Sequence, residues 1–241
     1  MSEDRIFASE EAADGTFRFD ETVAAVFPDM LQRSIPGYVA SIVAIGCLAH
    51  RYVQAETHCY DLGCSLGEAT LAMRHAIPAP GCRIIAIDNS TAMISRCQKI
   101  IDDDDGATPI DVVASDIRDA DINNASMVVM NYTLHFLPIP DRDEMIAKIF
   151  AGMNAGGVFV LSEKVVDEDE EIERVLVDLH HDQKRRNAYS DSEISRKRAA
   201  IENVLVPESQ SAHMTRLTSA GFSHVGVWLR HFNFMSLLAI K

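Results

Sequence analysis

The sequence predicts an α/β fold: a doubly wound, mostly parallel sheet with helices ahead of it and inserted into it. Three observations carry that reading. The segment Asp61-Leu62-Gly63-Cys64-Ser65-Leu66-Gly67 joins a predicted strand at 57–60 to a predicted helix at 68–75. Three further predicted strands, 82–87, 110–114 and 127–130, run into Asp88-Asn89, Asp116-Ile117 and Asn131. Strands and helices alternate from 57 to 164, the pattern of a parallel sheet covered on both faces. Open sheets of this kind bind ligands outside the carboxyl ends of their strands, and four strands in succession deliver a polar residue there.

The elements follow in order. Residues 1–15 read as loose and polar, 21–34 as a helix broken at Pro28, and Pro36 as the opening of a second helix to about Tyr52. In that second helix Val39, Ile42, Val43, Gly46 and Ala49 recur at helical spacing and predict its buried face. Ser90 is placed to cap a helix over 92–101. The acidic run 102–105 reads as a solvated turn, because adjacent aspartates do not converge on calcium without a spaced loop. Gly156-Gly157 precede an apolar strand at 158–161, residues 167–204 read as helical, and 224–229 with 234–240 read as a closing hairpin or paired edge strands. The acidic run 167–171 sits at a helix start, where the dipole favours negative charge. The predicted organisation is one domain: a helical lid (1–55), a cofactor-binding core (56–164), a helical insertion (165–205), and a C-terminal helix with edge strands (206–241).

Composition narrows the function. The 241 residues carry 36 acidic and 22 basic side chains, a formal net charge of −14, which disfavours stable contact with nucleic-acid backbones. No apolar run spans a bilayer, and residues 1–9 lack the apolar stretch of a signal peptide. Five cysteines without a C-x-x-C pair read as reduced thiols in a cytoplasmic protein and make a zinc site unexpected. One local concentration of cations stands against the acidic total, Lys184-Arg185-Arg186 and Arg196-Lys197-Arg198. It reads equally as a small-anion site or as solvated helix faces.

The turn chemistry discriminates between ligands. Glycines admit close approach of backbone to a ligand, and a helix start offers open N–H groups to an anion such as a carboxylate. A dinucleotide fingerprint needs glycine where Ser65 stands; serine crowds a pyrophosphate but donates to a smaller carboxylate. Asp88 suits ribose hydroxyls. Asp116 suits an exocyclic amine with Ile117 covering the ring, or else simply caps a turn. A helix over 194–205 would place Ile194, Arg198, Ile201 and Leu205 on one face and turn Arg196 away. An arginine among core-facing residues needs an anionic partner, either a ligand carboxylate or an internal acid such as Glu202 or Asp178.

The glycine turn, Ile87-Asp88-Asn89-Ser90, Ser115-Asp116-Ile117-Arg118 and Asn131-Tyr132-Thr133-Leu134-His135-Phe136-Leu137 together resemble the class I S-adenosyl-L-methionine-dependent methyltransferases, with their seven-stranded Rossmann-like sheet. A closer resemblance is to the carboxy-S-adenosyl-L-methionine synthase family. It rests on Val26-Phe27-Pro28-Asp29-Met30, Arg33-Ser34-Ile35-Pro36-Gly37-Tyr38, Asp178-Leu179-His180-His181, Lys197-Arg198 with Glu202-Asn203-Val204, and Phe232-Asn233-Phe234. The resemblance implies that Tyr38, Gly63, Cys64, Ser65, Asp88, Asn89, Asp116, Ile117 and Asn131 contact S-adenosyl-L-methionine or its carboxy derivative, and that Arg198 holds the added carboxylate.

The same resemblance implies prephenate as carboxyl donor, phenylpyruvate as co-product, a homodimer, and a place in the 5-oxyacetic acid modification of the tRNA wobble uridine; the acidity of the chain argues against direct tRNA contact, and no metal is expected. The chain departs from the family at His135, where glutamine is usual, and at Arg230-His231, which replace a less basic pair. Two other functions remain compatible with these residues: a methyltransferase acting on a small anionic acceptor at Arg198, and a catalytically silent S-adenosyl-L-methionine sensor. His180-His181 read as packing residues, His135 as a satisfied polar residue at a helix start, and Trp228 as core.

Overall fold

The computed structural model describes residues 3–8 and 17–241. In chain order the elements are α1 (Glu21–Ser34), α2 (Tyr38–Tyr52), β1 (His58–Leu62), α3 (Glu68–Ala76), β2 (Arg83–Asp88), α4 (Thr91–Asp102), β3 (Ile110–Ala114), β4 (Ala125–Asn131) and α5 (Ile139–Gly152). They continue with β5 (Met153–Val166), α6 (Glu170–Arg186), α7 (Asp191–Ile201), β6 (Glu208–Ser209), α8 (Gln210–Ala220), β7 (His224–His231) and β8 (Phe234–Ile240). The sheet runs β3-β2-β1-β4-β5-β8-β7, with the short β6 beside β5. Strands β1 to β5 pair in parallel, while β8 lies antiparallel between β5 and β7. The strand order reverses between β1 and β4, the place where open sheets leave a crevice for ligands.

Alternation along the central strands covers both faces. Tyr60, Leu62, Val128, Met130, Phe159 and Leu161 enter one core with Met145, Ile146 and Ile149 of α5 and Leu217 of α8. Their neighbours Cys59, Met127, Val129, Val158 and Val160 enter the other with Ile45 and Ala49 of α2 and Ala69 and Met73 of α3. A strand buried on both sides reads as an unbroken apolar run, and β4 does. α2 is therefore a layer of the fold, and of the described residues up to 55 the cavity described below is bordered by Phe17 and Phe19, by α1 with Ile35 after it, and by the start of α2. That revises the expected lid over 1–55.

Several local expectations are also revised. Pro28 does not break α1, which runs as one helix held by buried Val23, Ala24, Phe27 and Met30. In α2 the buried residues are Tyr38, Ser41, Ile45, Gly46 and Ala49, while Val39 and Val43 face outward at 57% and 62% exposure. Gly46 and Ala49 of the expected face are buried and Ile42 packs against the core, so the buried stripe is the expected one rotated toward Ile45, which meets the sheet beside Ala49. Gly156 and Gly157 lie inside the long β5. The helical region divides into α6 and α7 where Ala188 takes φ +64° and Tyr189 is buried, and α7 stops at Ile201 instead of reaching Leu205. The N-terminus, expected to be loose, buries Asp4 and Phe7 among its described residues. The remaining 1–2 and 9–15 lie outside them. Ser90 caps α4, accepting from the Met93 N–H, and Asp169 caps α6, as the acidic run suggests. No single helix among the described residues is long and apolar enough to cross a membrane.

Candidate functional site

All ten residues singled out from sequence (Tyr38, Gly63, Cys64, Ser65, Asp88, Asn89, Asp116, Ile117, Asn131 and Arg198) line one cavity of about 530 Å³ at the carboxyl edge of β1, β2 and β4. Its size lies within the range of small-molecule sites.

The turn after β1 is held from within. The N–H groups of Gly63 and Cys64 donate to the Ile87 carbonyl at 2.8 and 3.0 Å, and that of Ser65 donates to Asp88 Oδ2 at 2.9 Å. Asp88 Oδ1 accepts from the Ser90 N–H at 2.8 Å, so this carboxylate ties the β1 and β2 turns together. Burial pushes its pKa up, and those backbone donors oppose the rise. Gly63 has φ +84°, and a Cβ there would stand 2.4 Å from Thr133 Oγ1. The glycine is required by the neighbouring loop as well as by any ligand, a reason the sequence did not disclose. Gly67 opens α3 at φ +86° without a side-chain cap, which leaves the first-turn N–H groups to other acceptors.

Four acids gather on this wall. Asp61 is fully buried; its Oδ2 accepts from the Thr70 hydroxyl at 2.6 Å, while Oδ1 has no partner. Burial raises its pKa to about 6, with Thr70 opposing. Glu68 is also raised by burial, and it meets the buried Tyr38 phenol, which burial and then the Glu68 charge push up. Asp116 does cap a turn: it accepts from the Arg118 N–H at 2.9 Å and pairs with the Arg118 guanidinium at 2.7 Å, which lowers its pKa. Ile117 beside it is buried. Asn131, ending β4, leaves Oδ1 buried and unpartnered. Unpartnered buried acceptors at Asp61 and Asn131, on an acidic wall, suit a ligand bearing an ammonium and a second cationic centre. At one end Phe19 meets Phe136 edge-on at 5.2 Å and Phe27 at 5.9 Å.

The opposite wall is cationic. Lys164 of β5, Lys184 of α6, and Lys197 and Arg198 of α7 border the same cavity. Lys197, not Arg198, is the buried cation of α7. Its Nζ donates to Ser34 Oγ at 2.9 Å and lies 3.6 Å from Asp4 Oδ2; burial brings it down to about 8 against the pull of Asp4. Arg198 is exposed, contrary to the core-facing placement. The reason is the short helix: α7 buries Ile194 and Lys197 and ends at Ile201, so the face expected to continue to Leu205 is not formed. Neither Glu202 nor Asp178 forms an ion pair with Arg198, and Asp178 instead lies 3.7 Å from Arg174.

His180 is a packing residue, as expected. Its Nε2–H donates to the Ser34 carbonyl at 2.8 Å, and burial holds its pKa near 3. His135, 2% exposed, puts Nδ1 2.8 Å from Glu163 Oε2, close but not aligned as a hydrogen bond. Trp228 packs partly buried against the α2–α3 face of the sheet. Away from the cavity, the surface groups of His75, Asp104 and Asp105 bring three potential ligand atoms within 4.8 Å of one another. His75 and Asp104 already bond to each other at 2.7 Å.

Sequence reasoning did not single out Asp61, which opens the motif and lines the cavity with a buried, unpartnered oxygen. Lys184 and Lys197 belong to the basic clusters already noted, whereas nothing local distinguishes Lys164 or Asn233.

Comparison with known proteins gives the family and the fold. Residues 60–157 match the family model described as a methyltransferase domain. A carboxy-S-adenosyl-L-methionine synthase of Photobacterium profundum is 53% identical over 239 residues, covering 99% of this chain and 98% of the relative. The enzyme of the same name from Trichlorobacter lovleyi is 53% identical over 226 residues, covering 93% of each. Among solved structures, human N-acetylserotonin methyltransferase in complex with S-adenosyl-L-methionine aligns with a TM-score of 0.63 at 16% identity, over 98% of this chain and 57% of that one. An O-methyltransferase family protein of Burkholderia thailandensis aligns at 0.65 and 14%, over 98% of this chain and 61% of that one. At such identities the structures establish the fold, a class I methyltransferase architecture.

Proposed function

The chain belongs to the carboxy-S-adenosyl-L-methionine synthase family of transferases, and on that premise we propose that it converts S-adenosyl-L-methionine and prephenate into carboxy-S-adenosyl-L-methionine and phenylpyruvate. The observation that carries the reading is the opposition of the two walls: unpartnered acceptors at Asp61 and Asn131 on one, and Arg198 without a carboxylate partner among the described residues on the other.

In this reading the substrate's ammonium lies toward Asp61 and Asn131. Its ribose lies at Asp88 and Asn89, and its adenine between Asp116 and Ile117. Arg198 receives the carboxylate, for which a planar guanidinium fork is suited. Loss of carbon dioxide from prephenate aromatises its ring and expels hydroxide. Hydroxide takes a proton from the sulfonium methyl, giving water, and that carbon bonds the released carbon dioxide. No side chain has to act as base; the protein orients two reactants, excludes water and stabilises the new negative charge. The family also implies a homodimer, a cytoplasmic location and a separate tRNA-modifying enzyme that consumes the product.

The test is to incubate the chain with both substrates, weigh the nucleoside product and follow phenylpyruvate. A product heavier than S-adenosyl-L-methionine by one carbon dioxide is expected. Methyl transfer to an acceptor, or tight binding without turnover, would replace this reading with one of the two other functions.

A further inference from the structure

Arg198 is one cation, and the cavity holds more than one carboxylate requires. Lys197 is accounted for by Ser34 and Asp4. Lys164 and Lys184 are not: both border the cavity, and neither side chain forms an ion pair or a hydrogen bond among the described residues, although the charge of Glu173 bears on Lys164 and that of Asp4 on Lys184 from farther off. They stand near one another and near Lys197 and Arg198, whose charges bear on them. Burial, then those neighbours, lowers Lys184 to about 7, and burial lowers Lys164 as well. Lys164 pairs in the sheet register with Phe234; next to Phe234 stands Asn233, whose carbonyl accepts from the Val165 N–H at 2.8 Å and which is fully buried at the cavity, with neither amide atom partnered. Two unpaired ammonium groups and an unsatisfied amide on one wall are costly unless something anionic meets them.

We propose that Lys164, Lys184 and Asn233 form a second anion subsite, distinct from Arg198, that binds a carboxylate of a small organic dianion and so positions the carboxyl donor against the sulfonium. This rests on the function proposed above and deepens it. Arg198 serves the carboxylate being formed, and the lysine subsite serves the carboxylate that the donor keeps. Two anionic positions explain why one wall carries more positive charge than the product needs. The groups facing the subsite are Lys197 and Arg198 on the positive side, the imidazoles of His180 and His181, which burial keeps neutral, and Glu173, Glu202 and, more distantly, Asp4 on the negative.

The experiment uses the full chain saturated with S-adenosyl-L-methionine. Lys164→Met and Lys184→Met keep the stem and remove the charge. Each is expected to raise the KM for prephenate about tenfold or more, with a smaller fall in kcat, while affinity for S-adenosyl-L-methionine stays within about threefold. Lys184→Arg should restore much of the donor affinity. Malonate, an unreactive dianion, should bind the loaded wild-type chain and lose that binding in both Met variants.

Equal malonate binding by wild type and variants overturns the subsite even if turnover is normal. Conversely, absence of turnover with lysine-dependent malonate binding removes the proposed reaction and keeps the subsite. Loss in Lys184→Arg as large as in Lys184→Met makes the lysine merely structural and rejects the proposal. Should the Met variants fail to fold, calorimetry of wild type at pH 8 in buffers of different ionisation enthalpy decides: malonate binding should take up protons as Lys184 becomes charged, and no uptake rejects the subsite.

Discussion

The carboxyl edge of the sheet and the α6–α7 pair face each other across one cavity, and they differ in sign and in how their charges are supported. On the sheet side Asp88 and Asp116 are bound into turns by backbone N–H groups, while Asp61 and Asn131 each keep a buried oxygen unpartnered among the described residues. On the other side, made by α6, α7 and the end of β5, Lys197 is paired while Lys164, Lys184 and Arg198 stand without acidic partners within ion-pair distance among the described residues. The first wall is a rigid cradle with a small unsatisfied remainder. The second is a set of charges waiting for a counter-charge. A cationic sulfonium substrate and an anionic donor suit these two walls, and the contrast teaches that residual charge after internal pairing, rather than total charge, marks what a wall binds.

The sharpest way to break the comparison is Arg198→Ala. Carboxylated product should fall by about 10³-fold, the cost of leaving a charged group of the complex unpaired, while affinity for S-adenosyl-L-methionine changes little. Product mass and equilibrium binding measure the two; parallel losses would mean that the walls do not divide the work. Next in size is Gly63→Ala. A Cβ 2.4 Å from Thr133 Oγ1 and a φ of +84° should cost about 2–4 kcal/mol, lowering Tm by about 5–15 °C in a melting experiment. Gly226→Ala, with nothing within 4 Å of the added carbon, should not lower it comparably.

Asp61→Asn sharpens the contrast on the acidic side. It should weaken S-adenosyl-L-methionine about 10–100-fold by titration calorimetry, and it should stabilise the unliganded chain by up to about 3 kcal/mol. The pH signs are opposite for the two effects. Burial raises this carboxyl from 3.8 to about 6, so between those values the folded chain holds more protons than the unfolded one. Folding stability therefore falls as pH rises through that window, and the cost is fully present above pH 6. Ligand affinity needs the carboxylate, so it should fall as pH drops through about 6. The smallest effect belongs to Asp103→Ala in the exposed acidic run, which should leave both Tm and binding unchanged. A measurable loss of affinity there would mean that diffuse negative charge, and not Asp61, attracts the cation.

The legibility of the two walls also differs. Turn residues on the sheet side are fixed by chemistry within a few positions: glycine where φ is positive, a polar residue where a parallel strand ends. Such signals survive in sequence, and all eight positions named at the strand ends, from Gly63 to Asn131, border the cavity. The helical side depends on where helices stop. The helical repeat placed Arg198 on an apolar face extended to Leu205, but α7 ended one turn earlier and buried Lys197 instead. Likewise Val39 and Val43 satisfied the apolar pattern of α2 and still face outward.

By itself the sequence determined the alternating strands and helices, the glycine turn, the polar strand ends and the family, because each is set by local backbone chemistry or by residues adjacent in the chain. Only the tertiary structure decided which charges are left over. Asp4 lies far from Lys197 in sequence yet neutralises it, Thr70 takes one oxygen of Asp61, and the turn into β8 brings Asn233 against Val165, next to Lys164 in the chain. Pairing and desolvation depend on distance in space, and no local pattern encodes them.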